Sequence, residues 1–170
     1  KRPNGKLNEP VNQFHEIIRN HDINMYFQPI VHMNSGEPFG YEALLRGPAG
    51  THFESPVILF GMARRLDMES ELDLLCLKEL QTASRSIPDT GKIFFNVSPE
   101  SFFSPRFREA WERATEDLHP ERMVLEVTRK RRIREFASFR SSIDHFRRKG
   151  FQVAVDDAKA GTLSLRTILE

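Results

Sequence analysis

Two apolar runs decide the fold: Met123-Val124-Leu125-Glu126-Val127 and Phe151-Gln152-Val153-Ala154-Val155. Each has the length of a β-strand, and the residues between them include a stretch of helical periodicity, Ser138 to Lys149, that ends at Gly150. Apolar strands that are separated by an amphipathic helix are typical of parallel strands buried on both faces. This region therefore predicts a strand–helix–strand unit with two parallel strands.

The same alternation extends toward the N-terminus. Phe39 to Leu45 contains good helix formers, but Gly40 and Gly47 bracket a segment too short for an independent helix, so we interpret it as a strand. The other predicted strands are Met25 to His32 and Ile93 to Val97, and the other predicted helices are Val11 to Arg19, Pro56 to Arg65, Glu69 to Arg85 and one opened by Ser104-Pro105. The pattern predicts an α/β fold, either a barrel or a doubly wound sheet.

Composition narrows the class of protein. The chain has 170 residues with a formal net charge of +1. The net charge therefore gives no strong electrostatic attraction to nucleic acid or to an acidic membrane. Its only cysteine, Cys76, is predicted to be a small core residue, and a reducing, cytoplasmic compartment is expected. No apolar run approaches the roughly 18 residues needed to span a bilayer.

Polar residues interrupt the apolar runs at one kind of place, the C-terminal end of a predicted strand. They are Glu42, Asn96, Glu126 and the pair Asp156-Asp157. In α/β folds this edge of the sheet carries the functional site, so the oxygen-bearing side chains are expected to converge there. Clustered carboxylates favour a hard divalent cation, and two such ions would suit phosphodiester hydrolysis. Any one of these acids alone would be typical of a helix N-cap or a solvated loop.

These motifs together resemble the EAL domain of cyclic di-GMP phosphodiesterases. The matching segments are Phe27 to Val31, Tyr41-Glu42-Ala43-Leu44-Leu45-Arg46, Ser55-Pro56, Phe95 to Pro99, Leu125 to Thr128 and Val155-Asp156-Asp157. The resemblance implies a modified (β/α)₈ barrel, of which this chain holds about the first five strands. It also implies hydrolysis of cyclic di-GMP to linear pGpG with Mg²⁺ or Mn²⁺, inhibited by Ca²⁺, in bacterial signal transduction.

The resemblance implies roles for individual residues. The positions that match the family's metal ligands are Glu42, Asn96, Glu126 and Asp156, with Asp157 at a second-metal site. The positions that match ligand contacts are Gln28, Leu44 and Arg46. The Arg46 guanidinium has a physical reason to be there, since it can pair with a phosphate oxygen through two hydrogen bonds.

The resemblance also sets the expected domain organisation. Residues 1–24 form an N-terminal segment with a lead-in helix, and residues 25–170 form an EAL-type domain that stops before its last strands. The family's catalytic lysine, a later metal-binding glutamate and a late glutamine lie beyond Glu170, so no catalytic residue is assigned within the chain. The partners implied are cyclic di-GMP, a second copy in a homodimer, and a regulatory or sensory domain outside this chain.

Three positions depart from the family pattern. Arg129 stands where the family has a glutamate that steadies the loop after the Asp-Asp strand. In that loop, Ala158 and Lys159 replace a phenylalanine and a glycine. Because Arg129 and Asp157 could pair with each other at the expense of a cation, we expect reduced affinity for the second metal.

Three alternatives stay open at this point. The altered positions Arg129 and Lys159 favour a receptor that binds cyclic di-GMP without cleaving it. A protein-interaction scaffold is disfavoured, because it has no need of carboxylates that destabilise an empty site. A nucleic-acid surface at residues 129–132 and 147–149 is disfavoured, because charge runs are usually solvated. The histidines lack zinc-site spacing, and Ser98 lies in no nucleophile-elbow pattern.

Overall fold

The computed structural model describes residues 9–128 and 136–156, and its helices and strands follow the predicted order closely. The helices are α1 (Glu9–Asn20), α2 (Pro56–Arg65), α3 (Glu69–Ala83), α4 (Pro99–Phe103), α5 (Pro105–Ala114) and α6 (Phe136–Arg148). The strands are β1 (Asn24–Val31), β2 (Pro38–Arg46), β3 (Lys92–Val97), β4 (Met123–Thr128) and β5 (Gln152–Asp156). None of the helices within these two ranges is long and apolar enough to cross a membrane.

The strands form one sheet in the order β1-β2-β3-β4-β5. Strands β2 to β5 run parallel, as the strand–helix alternation predicted. Strand β1 instead pairs antiparallel with β2 across a turn in which the Gly36 N–H donates to the His32 carbonyl at 2.8 Å. The φ of Gly36 is +72°, which a residue with a side chain rarely adopts. The N-terminal part of the sheet is therefore a hairpin, a feature that the sequence pattern left undefined.

The two faces of the sheet have different surroundings. Side chains that alternate along β2 to β4 pack with the helices into one core, and these are Ala43, Leu45, Ile93, Phe95, Val97, Met123, Leu125 and Val127. Most of the intervening side chains, such as Leu44 and Asn96, are half-buried on the opposite face, where Val124 is buried. Burial on both faces was predicted. In the described sheet, the face that packs against the helices is fully buried, and the opposite face is mostly half-buried. We call the second, half-buried face the open face.

The helical layer over the core is rich in aromatic rings. Trp111 of α5 is fully buried and lies 5.4 Å from Phe95 of β3 and 5.8 Å from Phe151, measured between ring centroids. Phe102 of α4 stacks on Phe146 of α6 at 5.3 Å. Cys76 is also buried, as predicted for a core residue. Aromatic pairs of this kind link α4, α5 and α6 to each other and to the sheet.

Gly47 lets the loop after β2 pack against the strand end. A methyl group at this position would collide with the backbone carbonyl of Phe53, whose own side chain is buried in the core. The close approach holds residues 52–54 beside Arg46. Gly47 thus marks the end of β2 and shapes the loop next to it.

Arg122, at the entry to β4, holds the loop that leads into β3. Its side chain is 12% exposed, its Nε donates to the Gly91 carbonyl at 2.9 Å, and its Nη2 donates to the Pro88 carbonyl at 2.8 Å. We expect Arg122→Ala to lower the free energy of unfolding by roughly 2 kcal/mol, because it leaves two carbonyls without a charged donor. Urea denaturation measures the change.

A matched variant separates these hydrogen bonds from the charge. Asp89, which also contacts Arg122 at 3.4 Å, is fully exposed, so Asp89→Asn should leave the urea midpoint unchanged. Equal losses of stability in Arg122→Ala and Asp89→Asn would mean that the surface ion pair, and not the carbonyl contacts, holds the loop.

Candidate functional site

The open face of β1 and β2 carries four of the predicted site residues. Gln28 lies directly opposite Glu42 in the antiparallel register, so their side chains lie on the same side of the sheet. Leu44 and Arg46 follow Glu42 at intervals of two along β2 and therefore share that side. Gln28 is exposed, and the other three are half-buried. The hairpin thus brings Gln28 of β1 beside a motif on β2.

Asn96 on β3 contacts Glu42 directly. The Asn96 Nδ2 donates a hydrogen bond to the Glu42 Oε1 at 3.0 Å, although the two residues are 54 positions apart in sequence. In the backbone register Glu42 is level with Phe94, so Asn96 lies two residues farther toward the C-terminal edge. The two side chains thus lie side by side, and carboxylate and amide oxygens are the ligand types that suit a hard divalent cation.

Glu126 and Asp156 continue the row of predicted metal-ligand positions across β4 and β5. Glu126 is level with Asn96 in the parallel register and is half-buried. Ala154 is level with Glu126, so the Asp156 backbone lies two residues farther along β5. Strands β2 to β5 thus each carry one of these predicted positions, and the position lies nearer the C-terminal edge in β5 than in β2.

Some predicted positions lie outside this description. Asp157, Arg129 and Lys159 fall outside the described residues, and of Asp156 only the backbone is described. Among the side chains that the structure does describe, no three acids, histidines or cysteines gather closely enough to hold an ion. The described part of the acidic set is therefore the Glu42–Asn96 pair with Glu126 beside it.

Two grooves adjoin these residues. One, of about 950 Å³, is lined by Gln28, Leu44 and Arg46 together with residues of the loop after β2 and of the first turn of α2. The other, of about 540 Å³, lies between the strand ends and helices α2 and α3, and is lined by Leu44, Arg46 and Asn96 among others. The structure therefore brings the three predicted ligand contacts together at one groove. Arg46 and Leu44 lie between the two grooves.

Asp73 is a polar residue of this region that sequence reasoning missed. It belongs to α3, is 1% exposed, and lines the smaller groove with Asn96. Burial raises its pKa from 3.8 to about 6, which outweighs the lowering by hydrogen bonds from Ser98. The available signal was an acid in a helix whose neighbours Leu72, Leu75 and Cys76 were all predicted to be core.

A family model of the EAL domain matches residues 11–170, nearly the whole chain. The chain belongs to the EAL family. A curated relative, the probable cyclic di-GMP phosphodiesterase PdeB of Escherichia coli K12, is 26% identical over 94% of this chain and 32% of its own length. The chain spans between 18% and 32% of the length of the curated relatives that it matches.

Solved structures of EAL proteins share the fold. The PaMucR phosphodiesterase in complex with cyclic di-GMP superposes with a TM-score of 0.81 at 20% identity, over 94% of this chain and 68% of that one. The manganese and cyclic di-GMP complex of BlrP1 from Klebsiella pneumoniae gives a TM-score of 0.71 at 25% identity, over 87% of this chain and 38% of that one. The five-stranded sheet is therefore part of an EAL-type TIM barrel.

Proposed function

We propose that the open face of this EAL sheet binds cyclic di-GMP together with Mg²⁺ or Mn²⁺. The observation that carries the proposal is the 3.0 Å contact between Asn96 and Glu42, on the same face as Gln28, Leu44 and Arg46. The assigned metal ligands are Glu42, Asn96, Glu126 and Asp156, with Asp157 at a second ion. The assigned ligand contacts are Gln28, Leu44 and Arg46.

The donor set fits a hard divalent cation. Glu42 and Glu126 supply carboxylates and Asn96 supplies an amide oxygen, the ligand types that Mg²⁺ and Mn²⁺ prefer over nitrogen or sulfur. When bound, such ions would lower the pKa of a coordinated water and stabilise charge on a phosphodiester. Arg46 lines both grooves, and in this proposal its guanidinium pairs with a phosphate oxygen of the dinucleotide.

Hydrolysis of cyclic di-GMP to linear pGpG is the reaction we propose for the protein that contains this domain. The probable phosphodiesterase PdeB supports it as a relative of the chain. A second candidate, a receptor that binds without cleavage, is favoured by Arg129 and Lys159, which replace a glutamate and a glycine of the family pattern. Both candidates require cyclic di-GMP binding, and only the first requires product.

Binding and turnover are tested separately. Calorimetry with cyclic di-GMP in Ca²⁺ measures affinity, and chromatography after incubation in Mn²⁺ measures pGpG. We expect Arg46→Met to weaken binding roughly tenfold or more, because a half-buried, charge-assisted phosphate contact is lost. Arg65→Met is the matched control, since Arg65 is exposed on α2 and lines neither groove.

The outcomes distinguish the candidates. Steady release of pGpG by the protein of natural length supports the phosphodiesterase. Saturable binding with no product supports the receptor. Absence of binding in both Ca²⁺ and Mn²⁺, or equal binding by Arg46→Met and the unmodified chain, would contradict the proposed site.

A further inference from the structure

Asp73 places a carboxylate in the protein interior, where its nearest polar partners belong to the turn that contains Ser98 and Ser101. It is 1% exposed, and Leu72, Leu75, Cys76 and Leu77 of the same helix are buried around it. Burying a carboxylate costs free energy unless hydrogen bonds compensate for the lost water. The burial of Asp73 therefore requires hydrogen-bond donors around its carboxylate.

The group that Asp73 holds is the backbone of the turn after β3. The Ser98 N–H donates to the Asp73 Oδ2 at 2.9 Å. Ser98 is also the N-cap of α4, and its Oγ accepts the Ser101 N–H at 3.2 Å. One side of the turn is thus fixed by a helix cap, and the other by a buried side chain 25 positions earlier in the sequence.

This turn directly follows Asn96. Only Val97 separates Asn96 from Ser98, and the Val97 side chain is buried on the helical side of β3. A rotation of the peptide between Val97 and Ser98 would change the direction of the backbone at the end of β3. The Asn96 side chain, one residue earlier, would then change its position. Fixing the Ser98 N–H therefore limits how far the Asn96 Nδ2 can move from the Glu42 Oε1.

We infer that Asp73 is a positioning residue that orients the Asn96 side chain against Glu42 by holding the Ser98 N–H. The part of this inference that concerns metal binding by Asn96 rests on the proposed function. The part that concerns geometry depends only on two hydrogen bonds, from the Ser98 N–H to Asp73 and from the Asn96 Nδ2 to Glu42. Asp73 itself acts only through the turn.

Ser98 offers a matched pair of variants that isolates the N–H. Its φ of −68° and ψ of 150° suit proline, and they also suit a residue that precedes proline, as Ser98 precedes Pro99. Ser98→Ala removes only the capping hydroxyl, whereas Ser98→Pro removes the hydroxyl and the N–H. Both variants lose the hydroxyl, which also contacts Asp73, so the difference between them reports the contact between the Ser98 N–H and Asp73.

Asp73 offers a second pair. Asp73→Asn keeps an oxygen that can accept the Ser98 N–H, and Asp73→Leu keeps the branching at Cγ but replaces both acceptor oxygens by larger methyl groups. Thr115→Val is the control for a general loss of stability, because the Thr115 hydroxyl is buried in the helical layer and donates to the Trp111 carbonyl at 2.7 Å. Thr115 lines neither groove.

The first readout is the Asn96 side-chain amide in NMR spectra, assigned by its loss in Asn96→Asp. We expect its signals to move toward their positions in the unfolded chain in Ser98→Pro and Asp73→Leu, and to stay in place in Ser98→Ala, Asp73→Asn and Thr115→Val. Unchanged Asn96 signals in a folded Ser98→Pro or Asp73→Leu would overturn the inference. Should both variants fail to fold, hydrogen exchange of the Ser98 amide in the unmodified chain decides, and an unprotected amide would overturn it.

The second readout is Mn²⁺ affinity by electron paramagnetic resonance. Loss of an outer contact that orients a metal ligand typically costs about 10- to 100-fold, so Ser98→Pro should bind Mn²⁺ at least about tenfold more weakly than Ser98→Ala. Equal affinity would contradict the positioning role. If the unmodified chain binds no Mn²⁺, the proposed metal site fails, and the NMR comparison still decides whether Asp73 orients Asn96.

Discussion

Glu42→Gln is expected to weaken Mn²⁺ binding by roughly 100-fold or more, since even partners that only orient a ligand cost about 10- to 100-fold. The substitution removes one negative charge from the open face and leaves an amide oxygen that can still accept the Asn96 N–H at the position of Oε1. The fold should therefore survive while the charge that attracts the cation is lost. Electron paramagnetic resonance titration with Mn²⁺ measures the affinity, and the urea midpoint verifies the fold.

The control for Glu42→Gln is Glu54→Gln, which changes the net charge equally in an exposed carboxylate of the neighbouring groove. Glu54 accepts the Gly50 N–H at 2.9 Å and lies in the loop after β2, outside the strands that carry the assigned metal ligands. Mn²⁺ affinity should be nearly unchanged in this variant. Equal losses in the two variants would mean that only the overall field attracts the ion, and full affinity in Glu42→Gln would remove Glu42 from the site.

The order of strands and the positions at their ends could be read from the sequence because both depend on local patterns. Ile93, Phe94 and Phe95 are apolar on both faces of β3, so a polar Asn96 that interrupts this run stands out at once. Since parallel strands place their C-terminal ends at one edge, Asn96 and Glu126 could be expected side by side. The register, which makes them level, agrees.

What the sequence did not reveal depends on contacts between distant residues. The antiparallel pairing of β1, which brings Gln28 opposite Glu42, follows from tertiary packing, since a short turn at Gly36 permits a hairpin without requiring it. The partner of Asp73 is a backbone N–H beyond the next strand, and no local periodicity encodes that contact. An acid within an apolar helix face signals only that some partner exists.

Asp73→Asn is expected to raise the free energy of unfolding by roughly 3 kcal/mol at about pH 7, which is the free energy equivalent to a pKa raised from 3.8 to about 6. The ionised carboxylate destabilises the native state because burial has removed its water, with a smaller contribution from the nearby charge of Glu69. An asparagine carries no charge, its oxygen can accept the Ser98 N–H, and the Ser98 and Ser101 hydroxyls can turn toward its amide.

The pH dependence of this gain has a definite sign. Because the pKa of Asp73 is higher in the native state than in the unfolded chain, the native state holds the proton more tightly, and stability falls as pH rises from about 4 to about 6. Asp73→Asn should therefore match the unmodified chain near pH 4 and exceed it increasingly up to about pH 6. Urea unfolding of both proteins at the two ends of this range measures the difference, and Asp117→Asn, which alters an exposed carboxylate, is the charge control. A gain of equal size at both ends would show that asparagine packs better than aspartate, whereas a gain confined to the upper end would identify the buried charge of Asp73 as its source.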